Sequence, residues 1–178
     1  EGLLETLTDM NTKLEKIQKS LEQYLETKRT FFPRFYFLSN DDLLEILGQS
    51  REPLTIQAHI SKCFDNIKKF EFVKDGRKKR EALGMYSGEG EYVAFTERIV
   101  AEGPVEIWLT SLEEAMRASL KRELLKANVG FRRFKKDKWI NDTPGQLTIA
   151  SSQIAWTHDV TKALGDIEGG DKNALKEL

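Results

Sequence analysis

Between Leu7 and Phe31 the apolar positions advance in alternate steps of three and four: Leu7, Met10, Leu14, Ile17, Leu21, Tyr24 and, after Lys28 in the seam, Phe31. That period is helical and predicts one helix over about 3–32, with Lys13, Glu15, Lys16, Lys19, Glu22 and Glu26 off the stripe. At 1.5 Å per residue its length is roughly 40 Å or more. A stripe sustained over more than three heptads fits a coiled-coil arm or lever. It also fits a long helix burying one face in a bundle, and Leu4 and Leu25 widen the stripe in that direction. Pro33 disfavours helical geometry at Phe32 and ends the helix there.

The aromatic-rich FPRFYFLSN (32–40) reads as an extended connector lying over apolar surface. Ser39 or Asn40 can cap a short helix over 40–47, with Asp41 and Asp42 at its positive end, Leu43, Leu44, Ile46 and Leu47 as its apolar positions, and Gly48 at its stop. Pro53 opens a helix over about 54–68, with Ile56, Ile60, Cys63, Phe64 and Ile67 on one side. From Phe70 the period falls to two. FEFV (70–73), GMYS (84–87) and EYVAF continuing through Val100, punctuated by Asp75-Gly76 and Gly88-Glu89-Gly90, predict an antiparallel meander over about 70–100. The run RKKR (77–80) falls at its edge, where charge discourages pairing. Val105, Trp108, Leu109, Leu112, Met116, Leu120 and Leu124 then predict a helix over about 104–127. Thr143-Pro144 starts a last one over about 144–164, closed by Gly165. The expected class is mainly α: a helical bundle of long helices with a small inserted antiparallel β-meander, in one unit spanning 1–178.

Composition narrows the function classes. The 178 residues carry 28 Lys plus Arg against 29 Asp plus Glu, a net charge of −1, which argues against a chain devoted to nucleic-acid backbone. A lone cysteine, Cys63, has no partner for an internal disulfide, which suits a reducing compartment, and its place on an apolar face marks a buried structural thiol. No apolar run approaches the roughly 20 residues that cross a bilayer, and the first residues show no signal-peptide pattern, so no membrane partner is expected.

Catalytic patterns are missing. None of the 12 glycines precedes a lysine, as a phosphate-cradling loop requires, and Gly84, Gly88 and Gly90 sit on hairpin turns without the strand-turn-helix context of a nucleotide site. His59 and His158 lie in different helices without zinc spacing. His59 is one turn from Cys63, but this dyad lacks the third, orienting group. No catalytic, cofactor-binding or metal-binding residue is therefore assigned. The stretch Lys121–Lys138 holds eight basic and two acidic residues, and Arg132, Arg133, Lys135, Lys136 and Lys138 interleave with Phe131, Phe134 and Trp139. Such interleaving suits single-stranded nucleic acid. With a near-neutral chain the favoured reading is a charged loop facing an acidic protein neighbour, its aromatics anchored inside.

Several long segments carry a resemblance. FPRFYFLSNDDLLEILG (32–48), HISKCFDNIKKFEF (59–72), GMYSGEGEYVAF (84–95), GPVEIWLTSLEEAMRASL (103–120) and GQLTIASSQIAWTHDVTKAL (145–164) resemble, in order and spacing, the linker region of dynein heavy chains. The run LETKRTFFPRFYFLSNDDLLEILGQSR and KCFDNIK look closer to axonemal members, whereas RKKREAL and VGFRRFKKDK depart from any single one. The resemblance implies a force-transmitting arm lying N-terminal to a ring of AAA+ modules, bending and straightening as the ring turns over ATP. ATP and Mg would be held by those downstream modules, so this segment is expected to bear no active site. It would sit in the cytoplasm and cytoskeleton, in the axoneme of a cilium or flagellum. Its implied partner is the ring of the same heavy chain; microtubules and dynein intermediate and light chains would be reached through other parts of the parent. Candidate contact residues are Arg34, Tyr36, Trp108, Arg132, Arg133 and Trp139, and bending is expected at Gly48–Pro53, Gly103-Pro104 or Gly130–Pro144. Two rivals are a tail scaffold binding other axonemal dynein chains and an independent enzyme turning over ATP.

Overall fold

A computed structural model describes residues 2–49, 53–73, 80–171 and 173–174. Its helices are α1 (Leu3–Phe31), α2 (Asn40–Gly48), α3 (Pro53–Cys63), α4 (Val105–Arg133), α5 (Lys136–Asp142) and α6 (Gly145–Glu168). Strands β1 (Ile67–Phe72), β2 (Glu81–Ser87) and β3 (Tyr92–Val100) form one antiparallel sheet in the order β1-β2-β3. The meander is thus where the change of period put it. Its first turn, with Asp75-Gly76 and Arg77–Lys79, lies outside the described residues.

The long helices do not gather into one bundle. α4 is the spine: its first half packs on the sheet and its second half lies along α6. Among the described residues α1 joins the rest through its last turns, where Leu25 is buried against the main core. Along the rest of α1, Leu7, Met10, Leu14, Ile17, Leu21 and Tyr24 are all exposed, as are Leu3 and Leu4. The stripe that favoured a bundle is therefore uncovered by the described residues, and the arm geometry is the one seen.

Local chemistry explains several boundaries. Ser39 caps α2, its Oγ accepting from the Asp42 N–H at 3.1 Å. The segment expected to be an extended connector is instead a 3-10 helix, Pro33–Phe37. Three residues per turn place Phe32 and Phe35 on the same side, 2% and 0% exposed, and leave Tyr36 and Phe37 outside. α3 stops at Cys63, short of the expected 68, because Asn66 turns left-handed (φ 61°) and frees Ile67 to pair with Ser87. α4 overruns the expected 127 because Gly130 is a contact and not a stop. A Cβ there would meet the Trp139 ring 3.0 Å away. Likewise α6 runs through Gly165 to Glu168.

The main core gathers one row of aromatic rings. Phe32 packs on Phe35 (4.9 Å) and Phe64 (6.2 Å), Phe64 on Phe70 (5.8 Å), and Phe70 on Phe95 (6.1 Å), joining the end of α1, α3 and the sheet. Leu43, Leu109 and Leu112, all 0% exposed, close it from α2 and α4. At roughly 1.5–3 kcal/mol per fully buried large side chain, this cluster supplies most of the cohesion. A smaller core of Ala127, Trp139 and Leu147 joins α4, α5 and α6. Within the sheet, residues 95–98 of β3 stand opposite Leu83 alone, a bulge between the Ala82–Ile99 and Gly84–Ala94 pairs. The bulge bends β3 under α4, where fully buried Ser119 accepts the Thr96 N–H at 3.0 Å and covers the strand edge.

Candidate functional site

α4 spans 29 residues, about 43 Å at the standard rise, and both cores are built on it. Leu120 packs on each of the two clusters. Two cross-links brace the second core to the sheet. Glu91, at the β2–β3 turn, accepts the Gly145 N–H at 2.7 Å and so caps α6, while Arg122 of α4 donates to the Ala94 carbonyl at 3.0 Å. Glu91 was not among the residues singled out from sequence, since nothing local links a hairpin glutamate to a helix 54 residues away.

At the other end, the exposed arm α1 is fastened by charge. Lys28 in its last turn forms a close ion pair with Glu106 in the first turn of α4, where Glu106 is 7% exposed. The hydrogen bond to Glu106, outweighing burial, raises the Lys28 pKa above its ordinary value. Arg29 adds bonds to the Leu38 carbonyl (3.2 Å) and Asn40 (2.8 Å).

The six candidate contact residues fall into two groups. Arg34 works inward: its guanidinium donates to both carboxylate oxygens of Glu113 (3.1 and 3.2 Å) and to the Cys63 carbonyl (3.1 Å), and lies 4.7 Å over the Phe64 ring. Arg34 and Arg117 together hold the Glu113 carboxyl below the usual carboxylate range. Trp108 is buried in the main core, and Trp139 in the small one, its Nε1 donating to the Ala127 carbonyl at 2.9 Å. The other three are at the surface. Tyr36 donates its hydroxyl to Glu26 at 2.6 Å, Arg132 pairs with Asp159, and Arg133 is exposed. Of the three surface candidates only Arg132 and Arg133 are neighbours, and they are so because they are consecutive in the chain.

His59 and Cys63 do not form a nucleophilic pair. The His59 ring lies between Asp42 (3.3 Å from Nδ1) and Glu45 (3.4 Å from Nε2), one carboxylate at each nitrogen, so the three share no common point for an ion. Among the described residues no group of three metal-ligating side chains converges. Burial pushes the Cys63 thiol up to about 11, which keeps it protonated and unreactive at neutral pH.

Of the three expected bending sites, Gly103-Pro104 is a real break between β3 and α4, with Gly103 at φ 80°. The Gly48–Pro53 link lies partly outside the described residues. In the Gly130–Pro144 stretch, the interruptions are the junctions on either side of α5, a helix not anticipated from sequence.

Comparison with known proteins places these observations in a family. The family described as "Dynein heavy chain, N-terminal region 2" matches residues 1–127. Dynein axonemal heavy chain 2 of Mus musculus is 57% identical over 180 residues, covering 98% of this chain and 4% of its own length. The Dynein-1-beta heavy chain of the flagellar inner arm of Chlamydomonas reinhardtii is 49% identical over 175 residues (97% and 4%). The ciliary Dynein beta chain of Tripneustes gratilla is 40% identical over 177 residues (98% and 4%). The chain spans about 4% of the length of the curated relatives it matches. With its sheet-braced helical spine and this match over more than half its length, the chain belongs to the dynein heavy chain family, within its N-terminal region.

Proposed function

We propose that this segment is the linker arm of an axonemal dynein heavy chain, converting ATP-driven change in the parent's AAA+ ring into displacement along a microtubule. The observation that carries this reading is α4, a single unbroken helix on which both cores are built. A close-packed body of this kind transmits strain with little compression. Bending then concentrates where packing is thinnest, at Gly103-Pro104 and the two junctions of α5. The chemistry belongs to the ring: ATP and Mg are held by other modules of the parent, and intermediate and light chains are engaged elsewhere. The parent works in the axoneme of a cilium or flagellum. Ring contacts are proposed for the exposed residues Tyr36, Arg132 and Arg133.

The test is made in the full-length heavy chain. Ala118, exposed in the middle of α4, is replaced by proline, which costs about 3 kcal/mol in a helix interior and kinks it. ATPase turnover is expected to persist while microtubule gliding slows severely. Unchanged gliding velocity would rule out the arm. A scaffold role in binding other axonemal chains is favoured by one feature only, the uncovered stripe of α1. Capture of tail subunits by the segment, with no nucleotide-dependent capture of the ring, would select that role.

A further inference from the structure

The junction of α4 and α5 holds a concentration of positive charge that the fold leaves unbalanced. Arg133, Lys135, Lys136 and Lys138 are all exposed, and among the described residues none of the four has an ion-pair partner; nearby Arg132 already pairs with Asp159. Several other cations are paired, Lys28 with Glu106, Arg34 with Glu113, Lys62 with Asp42 and Lys126 with Glu123, and what sets this corner apart is the closeness of its four unpaired ones. Four unpaired cations share six residues with a single carboxylate, Asp137, and the net repulsion among them is a cost that an anionic partner removes.

The aromatics decide which anion fits. Trp139 is 4% exposed, and Phe131 is partly buried with its ring edge-on to Trp139 at 5.1 Å, so neither is fully open as a stacking platform. Only Phe134 is exposed, with the Lys138 ammonium 5.6 Å over its ring. Successive base stacking needs more than one open ring. Phe134 and Ile140, each about half-exposed, instead set apolar surface beside the cations.

We propose that the α4–α5 corner is a docking surface for an acidic polypeptide segment whose carboxylates alternate with apolar side chains. Carboxylates meet Arg133, Lys135, Lys136 and Lys138, and the apolar groups cover Phe134 and Ile140. The surface shares only Arg133 with the proposed ring contacts, and binding of its acidic segment is read whether or not the arm drives movement.

The probe is a fluorescein-labelled 16-residue peptide of glutamates interleaved with leucine and phenylalanine, titrated with the 178-residue chain and followed by anisotropy. Binding is expected to weaken several-fold between 50 and 200 mM salt, as screening predicts for exposed charges. The combined substitutions Arg133→Gln, Lys135→Gln, Lys136→Gln and Lys138→Gln are expected to weaken it about fifteenfold, each exposed cation giving a factor of about two. Removing equally exposed cations elsewhere (Lys16→Gln, Lys19→Gln, Lys68→Gln) is expected to change it less than about twofold. Circular dichroism checks that both variants are folded. Three results overturn the proposal: no binding at low salt, equal binding by wild type and the corner variant, or tighter binding of a 20-nucleotide oligothymidylate than of the peptide.

Discussion

Replacing Arg34 by alanine removes three hydrogen bonds and a ring contact at one stroke. Two of the bonds form a fork onto Glu113, one reaches the Cys63 carbonyl, and the guanidinium covers Phe64. Bonds to charged groups are worth about 1.5–3 kcal/mol each when dry, and the ring contact about 0.5–1 kcal/mol. The Arg34 side chain is 33% exposed and Arg117 still bonds Glu113, so water and that neighbour recover part of the loss. The net cost is expected to be about 2–3 kcal/mol, or a fall of roughly 1 M in the urea midpoint for a chain of this size. Arg34→Lys keeps the charge but not the fork and is expected to cost about half as much. The assay is urea unfolding followed by tryptophan fluorescence, Trp108 lying buried in the same core. The pH dependence supplies a second readout. Because the folded Glu113 carboxyl lies below its ordinary value, its contribution is complete above the usual carboxylate range and drains away as pH falls through the folded pKa. The gap between wild type and Arg34→Ala must therefore narrow between neutral pH and about pH 3. A cost under about 0.5 kcal/mol, the ordinary effect of a surface substitution, would refute the inward role.

Other expectations follow from the same contacts. Lys28→Met or Glu106→Leu alone is expected to cost about 2–3 kcal/mol by stranding a poorly solvated charge, and the double replacement about 1 kcal/mol or less, which a double-mutant cycle in urea reads directly. The pair's contribution should hold below about pH 10 and fade as pH climbs through the raised Lys28 pKa, so alkaline melts of wild type and the double variant should converge. Gly84→Ala sets a Cβ 2.6 Å from both the Val93 carbonyl oxygen and the Tyr92 hydroxyl; because one neighbour is backbone, a loss of about 2 kcal/mol or more is expected, measured by thermal melting. Leu14→Glu with Ile17→Glu should leave stability within about 0.5 kcal/mol, since both are exposed, while abolishing any concentration-dependent association seen in sedimentation. Cys63 should resist a thiol reagent in the native chain and react promptly in urea, in keeping with a thiol pKa of about 11.

Much of the architecture was legible before any coordinates. The helical periods of α1 and α4 and the switch to alternation near Phe70 follow from side-chain spacing, the start of α6 from Thr143-Pro144, and a cap at Ser39 or Asn40 from their side chains, of which Ser39 is the one that caps α2. Boundaries were harder. Gly165 looked like a stop because glycine so commonly ends helices, yet it lies inside α6, and α4 runs past its expected end through Gly130, where the Trp139 ring needs the space. α5 went unseen because a seven-residue helix with only Trp139 and Ile140 as apolar positions is too short to show a period.

Of the residues proposed as contacts, spacing alone could not separate Arg34 from Arg132, or Trp108 from Tyr36. Each pair is similar in chemistry, and only the packing of α4 against the 3-10 segment decides that Arg34 turns inward to Glu113 while Arg132 stays outside beside Asp159. The amphipathic stripe of α1 likewise told that a helix forms but not what covers it, because periodicity specifies a face and says nothing of its neighbour. The sequence alone therefore determined the long helices, the meander and the family likeness, through local spacing and motif order. The tertiary structure decided which charges are spent inside the fold and which remain for a partner, because pairing over 79 residues, as between Arg34 and Glu113, depends on how helices meet in space.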